Sequence, residues 1–297
     1  VGYPYPWEAY PNDQSRAPAA IRRESARLSL GPDRWDFDID HDLSALRAVD
    51  CGDIPINAAK QTVRAILSRG AKPIILGGDH SITIPALRAF DGHGPLTLVQ
   101  VDAHLDWRDE VNGVREGYSS PMRRISEMPW VKQTIQIGLH AFGAADQLKD
   151  ARAAGNILIT AQEVHLKGVP AILDLIPAGE NYFITVDMDG FDTAFMPAVS
   201  HPEPGGLSFR ESVDLLCGLA ARGRIAGMDW VEFVPGHDLN GLGGLEALEA
   251  YREVLAVLKG AIELGDAARR LLGAPVEPVF RRTSGFDTRP APVGARA

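Results

Sequence analysis

The feature that most constrains this chain is a run of β-forming residues, Leu96-Thr97-Leu98-Val99-Gln100-Val101, that ends directly in Asp102-Ala103-His104-Leu105-Asp106. In extended backbone, residues two apart point to the same side. Asp102 and His104, with Asp106 where the strand gives out, can therefore converge on one spot. Two carboxylates around an imidazole are donors that a hard or borderline divalent cation takes. A polar loop with incidental charges explains a single D-x-H-x-D equally well, so the other strand ends decide.

Three of them carry similar groups. Lys72-Pro73-Ile74-Ile75-Leu76 reads as a buried strand running into Gly77-Gly78-Asp79-His80-Ser81. Tyr182-Phe183-Ile184-Thr185-Val186 runs into Asp187-Met188-Asp189-Gly190-Phe191-Asp192, and a strand from Arg224 to Phe233 carries Glu232. Thr134 to Gly138 and Ile157 to Ile159 add two more strands, while Asp33 to Asp42 reads as an acidic loop. Helical patterns lie between: Ala17 to Leu28, Ile82 to Phe90, Ala144 to Ala154, Pro170 to Leu175 and Leu245 to Leu264. Another carries Ala59, Val63, Ile66 and Leu67, capped by Asn57 and closed by Gly70. Ser208 and Glu211 form a capping box ahead of Val213 to Ala221. Strands alternating with helices predict a mainly parallel sheet covered on both faces. We expect one domain over residues 1–297, with an N-terminal arm at 1–15 and an extended or disordered tail at 273–297.

In open α/β sheets, ligands bind at the carboxyl ends of strands. Carboxylates crowded there repel one another and resist desolvation without positive charge. Two divalent cations would cancel the four charges of Asp102, Asp106, Asp187 and Asp189, which favours two metals over one. Taken singly, His80 reads as a structural histidine and Asp187 to Asp192 as a solvated turn; together, at successive strand ends, those readings lose force. The net charge of −9 argues against nucleic acid or an anionic membrane as the main partner. Two cysteines, Cys51 and Cys217, make neither a disulfide scaffold nor a structural zinc site, and suit a reducing cytoplasm. No secretory leader or eighteen-residue apolar run is visible, although Val1 is not Met and residues can precede it.

The set Gly77-Gly78-Asp79-His80-Ser81, Asp102-Ala103-His104-Leu105-Asp106 and Asp187-Met188-Asp189-Gly190-Phe191-Asp192 resembles the arginase/agmatinase (ureohydrolase) family. Pro202-Glu203-Pro204-Gly205-Gly206-Leu207 is similar to the agmatinase branch, and the resemblance spans from about residue 16 to 262. It implies a three-layer α/β/α sandwich on an eight-stranded parallel sheet. It implies one manganese on His80, Asp102, Asp106 and Asp187 and a second on His104, Asp102, Asp187 and Asp189; nickel or cobalt would bind similar donors. Glu232 matches the family glutamate that pairs with the substrate guanidinium, and Asp106 the group that relays a proton. The implied reaction is hydrolysis of a linear amidine: water activated by the cations attacks the guanidinium carbon, releasing urea or a urea derivative and an amine. A trimer or hexamer is implied too.

The chain departs from that pattern in two places. Tyr118, in Tyr118-Ser119-Ser120-Pro121, stands where agmatinases carry a proton-shuttling histidine, and a phenol with pKa near ~10 shuttles poorly at neutral pH. The segment Pro197-Ala198-Val199-Ser200-His201-Pro202 adds His201, a candidate for the missing proton transfer or a substrate contact; a surface histidine is its plain reading. Trp107 and Trp230 offer indole faces that attract a delocalised cation. Packing explains Trp230 better. Asp192 is a candidate to orient substrate or ligands, and Asp79 and Ser81 to fix the His80 ring. Agmatine or a guanidino acid is the first expected substrate, an alkylated biguanide or guanylurea the rival, and formiminoglutamate a weaker one. A non-catalytic subunit paired with a paralogous one is the reading of another class. A deacetylase on the same fold is disfavoured, because a single zinc needs fewer carboxylates.

Overall fold

The computed structural model describes residues 13–25, 35–36, 41–42 and 49–244. In chain order, α1 (Ala17–Ser25) is followed by β1 (Trp35–Asp36) and β2 (His41–Asp42), a short antiparallel pair. Then come α2 (Ile56–Leu67), β3 (Ile74–Leu76), α3 (Thr83–Arg88), β4 (Leu96–Val101), α4 (Pro121–Ser126) and β5 (Val131–Leu139). The rest is α5 (Ala145–Ala153), β6 (Ile157–Thr160), α6 (Ala161–Lys167), α7 (Val169–Leu173), β7 (Asn181–Asp187), α8 (Phe209–Arg222) and β8 (Arg224–Val231). Strands β3 to β8 form one parallel sheet in the order β3-β8-β7-β4-β5-β6. The described residues thus carry six strands of the eight that the resemblance implies. No helix among them is long and apolar enough to cross a membrane.

Two apolar layers sandwich the sheet, as its unbroken Val, Ile and Leu runs require. On one face Val99, Val101, Ile137, Val186 and Trp230 pack with Ile172 of α7 and Leu215 and Leu219 of α8. On the other, Leu96, Leu98 and Phe183 pack with Ile84 and Leu87 of α3, Met122 and Ile125 of α4 and Ala151 of α5. Each such side chain contributes ~1.5–3 kcal/mol on burial.

The second face changes character toward the carboxyl ends. Along β4 it reads Leu96, Leu98, Gln100 and then Asp102; along β7 it reads Phe183, Thr185 and Asp187. Gln136, Gln100, Thr185 and Asp229 stand in register across four neighbouring strands, all fully buried. This polar row lies one layer beneath the ligand-bearing ends. The sheet therefore grades from oil to amide to carboxylate along a single face.

Several expectations need correction. Residues 35–36 and 41–42 pair as strands within the stretch read as an acidic loop. Helix α2 begins at Ile56, with Pro55 before it and no side-chain cap, so Asn57 lies inside the first turn. Two short helices, α4 and α6, went unread, although Thr160 and Glu163 make a capping box at the start of α6. The helix expected at 245–264 and the tail at 273–297 lie outside the described residues.

Candidate metal centre

His80 enters the site from the turn after β3. Asp79 caps that turn by accepting from Ser81 N (3.0 Å) and from the Ser81 hydroxyl. Contrary to the expectation that Asp79 and Ser81 fix the His80 ring, its Nε2 lies 2.9 Å from Thr185 Oγ1. This leaves His80 Nδ1, a fully buried atom without a hydrogen-bond partner, facing Asp106 Oδ2 at 2.8 Å, Asp187 Oδ2 at 3.1 Å and Asp102 Oδ2 at 3.3 Å. A ring nitrogen aimed at three carboxylates is placed as a ligand atom would be.

The second histidine follows the same logic. His104 Nδ1 lies 3.2 Å from Asp189 Oδ2 and 3.5 Å from Asp102 Oδ1. The donor atoms of His80, Asp102, Asp106 and Asp187 fall within 4.8 Å of one another, and so do those of Asp102, His104 and Asp189. Asp102 belongs to both groups, offering one oxygen to each. Asp187 belongs to the first, and its other oxygen accepts from Asp189 N at 3.0 Å. Close backbone approach makes this possible: a Cβ on Gly190 would stand 2.8 Å from Asp102 N, so glycine lets the Asp187–Asp189 turn lie against the end of β4.

The electrostatics show a shortage of positive charge. Burial and then the charge of Asp102 raise Asp106 to about 6. Burial, Asp189 and Asp102 raise Asp187 well above the carboxylate range, and burial with Asp102 raises Asp189. Burial opposes charge on both histidines, yet the carboxylates win, lifting His80 well above its usual value and His104 to about 12. Asp102 moves oppositely, because the two histidines outweigh its burial and hold it below the usual range. Two imidazoles set against four carboxylates leave the cluster short of cations, and divalent metal ions fit its donor set.

Glu232 lies at the rim of this cluster, 6% exposed, with its backbone at φ +65°. Asp106 also takes a positive φ, +45°. Such left-handed backbone costs of order 1–3 kcal/mol per residue and persists where surroundings dictate it. Glu232 Oε1 accepts from His80 N (2.8 Å) and Oε2 from Gln14 Nε2 (2.6 Å). Burial and the charge of Asp79 raise its pKa to about 8.

The remaining expected residues divide. His201 lies beside the second group, its ring 5.8 Å from that of His104 and 6.3 Å from that of Tyr118. Burial and then the His104 charge lower its pKa. Asp192 accepts from Ala194 N (2.8 Å) and Gly205 N (2.6 Å), fastening the 203–206 loop rather than facing the cluster. Trp107 is 3% exposed, packed with Leu87, Met122 and Ile125, and offers no face to a ligand. Trp230 is core, as packing anticipated.

Sequence reasoning missed the groups behind the ligands. Gln100 donates to Asp102 Oδ2, Gln136 Nε2 donates to Gln100 Oε1, and Asn156 Nδ2 donates to Gln136 Oε1 (3.0 Å). Thr185 backs His80, and Asp229, raised to about 6 by burial, lies near Thr185. The signal was present for four of them: Gln100, Gln136, Thr185 and Asp229 are polar residues inside apolar strands, and Gln100 and Thr185 each stand two before a ligand, whereas Asn156 lies just ahead of β6. Gln14 gave no such signal.

The sequence and fold match known proteins. The Arginase family profile matches residues 1–256 of the chain. A guanidinobutyrase of Pseudomonas aeruginosa is 32% identical over 264 residues, covering 82% of this chain and 81% of its own length. A proclavaminate amidinohydrolase of Streptomyces clavuligerus is 33% identical over 273 residues, 86% of each chain. The crystal structure of the agmatine ureohydrolase of Thermoplasma volcanium superposes with a TM-score of 0.74 at 29% identity, covering 84% of this chain and 85% of that one.

Proposed function

This chain belongs to the arginase family, and we propose that it is an amidinohydrolase that cleaves a guanidino-type C–N bond, releasing urea or a urea derivative and an amine. The observation that carries the reading is the convergence of His80, Asp102, His104, Asp106, Asp187 and Asp189 from three strand ends on two overlapping donor groups. His80, Asp102, Asp106 and Asp187 would hold one divalent cation. His104, Asp102 and Asp189 would hold the other, with Asp187 bridging as the resemblance implies; manganese is the first candidate, with nickel and cobalt behind it. Bound there, the pair supplies Lewis acidity that makes water a nucleophile near neutral pH. Glu232 accepts N–H bonds from the guanidinium and holds its carbon toward the cluster. Asp106 takes the proton of the attacking water and returns it to the leaving nitrogen. Tyr118 and His201, neighbours on the open side, donate to or shuttle for the departing group.

That neighbouring pair replaces a histidine of the family and favours a second substrate class, an alkylated biguanide or guanylurea. We take residues 1–297 as one domain acting on a small guanidino compound, in the cytoplasm, as a trimer or hexamer. All six donors being in place weighs against a purely supporting subunit of a mixed oligomer. The test is hydrolysis by the manganese- or nickel-loaded protein, read as the released amine or ammonia together with urea or its derivative, across agmatine, guanidinobutyrate, guanidine, guanylurea and metformin. Hydrolysis of one or more is expected. Bound metal with no hydrolysis of any of them would favour the supporting-subunit reading.

A further inference from the structure

Both oxygens of Glu232 are already bonded within the protein, and the donor on Oε2 comes from 218 residues away. Gln14 Nε2 lies 2.6 Å from Glu232 Oε2 and 2.6 Å from Ser200 Oγ, so its N–H bonds are committed to two segments of the site. The side chain is 3% exposed. Its segment is held on both sides. Residues Gln14–Arg16 form a tight turn leading into α1, and Asp13 Oδ1 accepts from Gly236 N at 3.2 Å. The Gln14 carbonyl packs on Gly78, where a Cβ would stand 3.7 Å from it. A carboxamide presenting N–H to a carboxylate makes the same kind of contact that a guanidinium edge makes.

An ionised carboxylate offers about four lone-pair sites, and His80 N and Gln14 together take two. A guanidinium on the remaining sites would sit beside the Gln14 carboxamide, whose nitrogen lies 2.6 Å from Oε2. We propose that Gln14 is a specificity-determining residue that narrows the Glu232 subsite, admitting a guanidinium edge of two free N–H bonds and rejecting one whose nitrogens carry alkyl groups. The inference rests on Glu232 being the guanidinium partner. It selects among the substrates left open above: an alkylated end must point away from Glu232.

Calorimetric titration of the manganese-loaded protein with guanidinium and with 1,1,3,3-tetramethylguanidinium tests it, since the latter has no edge with two free N–H bonds. The unaltered chain is expected to prefer guanidinium. In Gln14→Ala that preference is expected to fall by ~10-fold or more, the scale on which a pocket discriminates a methyl-sized group. Gln14→Ser serves if the alanine variant does not fold, as judged by its thermal melt. A preference unchanged within about twofold in the folded variant, or no binding of either ion by the unaltered chain, overturns the proposal. Guanidinium binding without hydrolysis of any substrate would instead remove the hydrolase reading and leave the role of Gln14 intact.

Discussion

The two halves of the metal centre meet the solvent differently. The His80 side chain is fully buried, and its far nitrogen is held by Thr185, whose hydroxyl lies 3.5 Å from that of Thr83. The His104 side chain is 28% exposed, with the ring of His201 beside it and that of Tyr118 beyond His201. Asp102 joins them, with Oδ2 toward His80 and Oδ1 toward His104. One half is braced by the sheet behind it and the other faces residues that a ligand can reach. The contrast separates a half fixed by the sheet from one whose imidazole is reached from outside.

Asp102→Asn removes the joint and is expected to weaken cation retention at both positions beyond the ~100-fold upper end seen for supporting residues. Metal analysis after dialysis reads this, and two retained ions per chain would break the contrast. His80→Ala leaves buried carboxylates without their imidazole and is expected to cost ~3–5 kcal/mol in chemical denaturation. His104→Ala, in the half-open position, is expected to cost less; equal losses would mean the halves are braced alike. Thr185→Val should weaken only the buried position, by ~10–100-fold, which a two-site manganese titration resolves. His201→Ala is expected to leave both cations bound while lowering turnover and altering the pH–rate profile. Unchanged turnover and profile would leave His201 as a surface residue.

Much of this was legible because the ligands obey local rules. Apolar strands running into Asp102 and His104, or into Asp187 and Asp189, announce these pairs in the sequence, although Asp102, His104 and Asp189 lie just past the strand ends. The parallel α/β sandwich was equally readable from the alternation of apolar runs and helical periods. Contacts between distant segments were not. Nothing local marks Gln14 as a partner of Glu232, since the pairing depends on how α1 docks against the sheet. Trp107 was misjudged for a related reason: position beside a ligand does not say which way a side chain turns, and this one turns into the apolar layer. Asn57 illustrates a weaker failure, where a good capping residue sits two places past the Pro55 that precedes the helix.

The amides of Asn156, Gln136 and Gln100 all donate in one direction, from the sheet margin at β6 inward to Asp102. Their dipoles therefore add head to tail, each polarising the next, with the positive end on the carboxylate that both cation positions share. A half-buried asparagine beside the outer strand of the described sheet is thereby coupled to a fully buried charge. Drift at that asparagine would retune the reactivity of the centre without any ligand being touched.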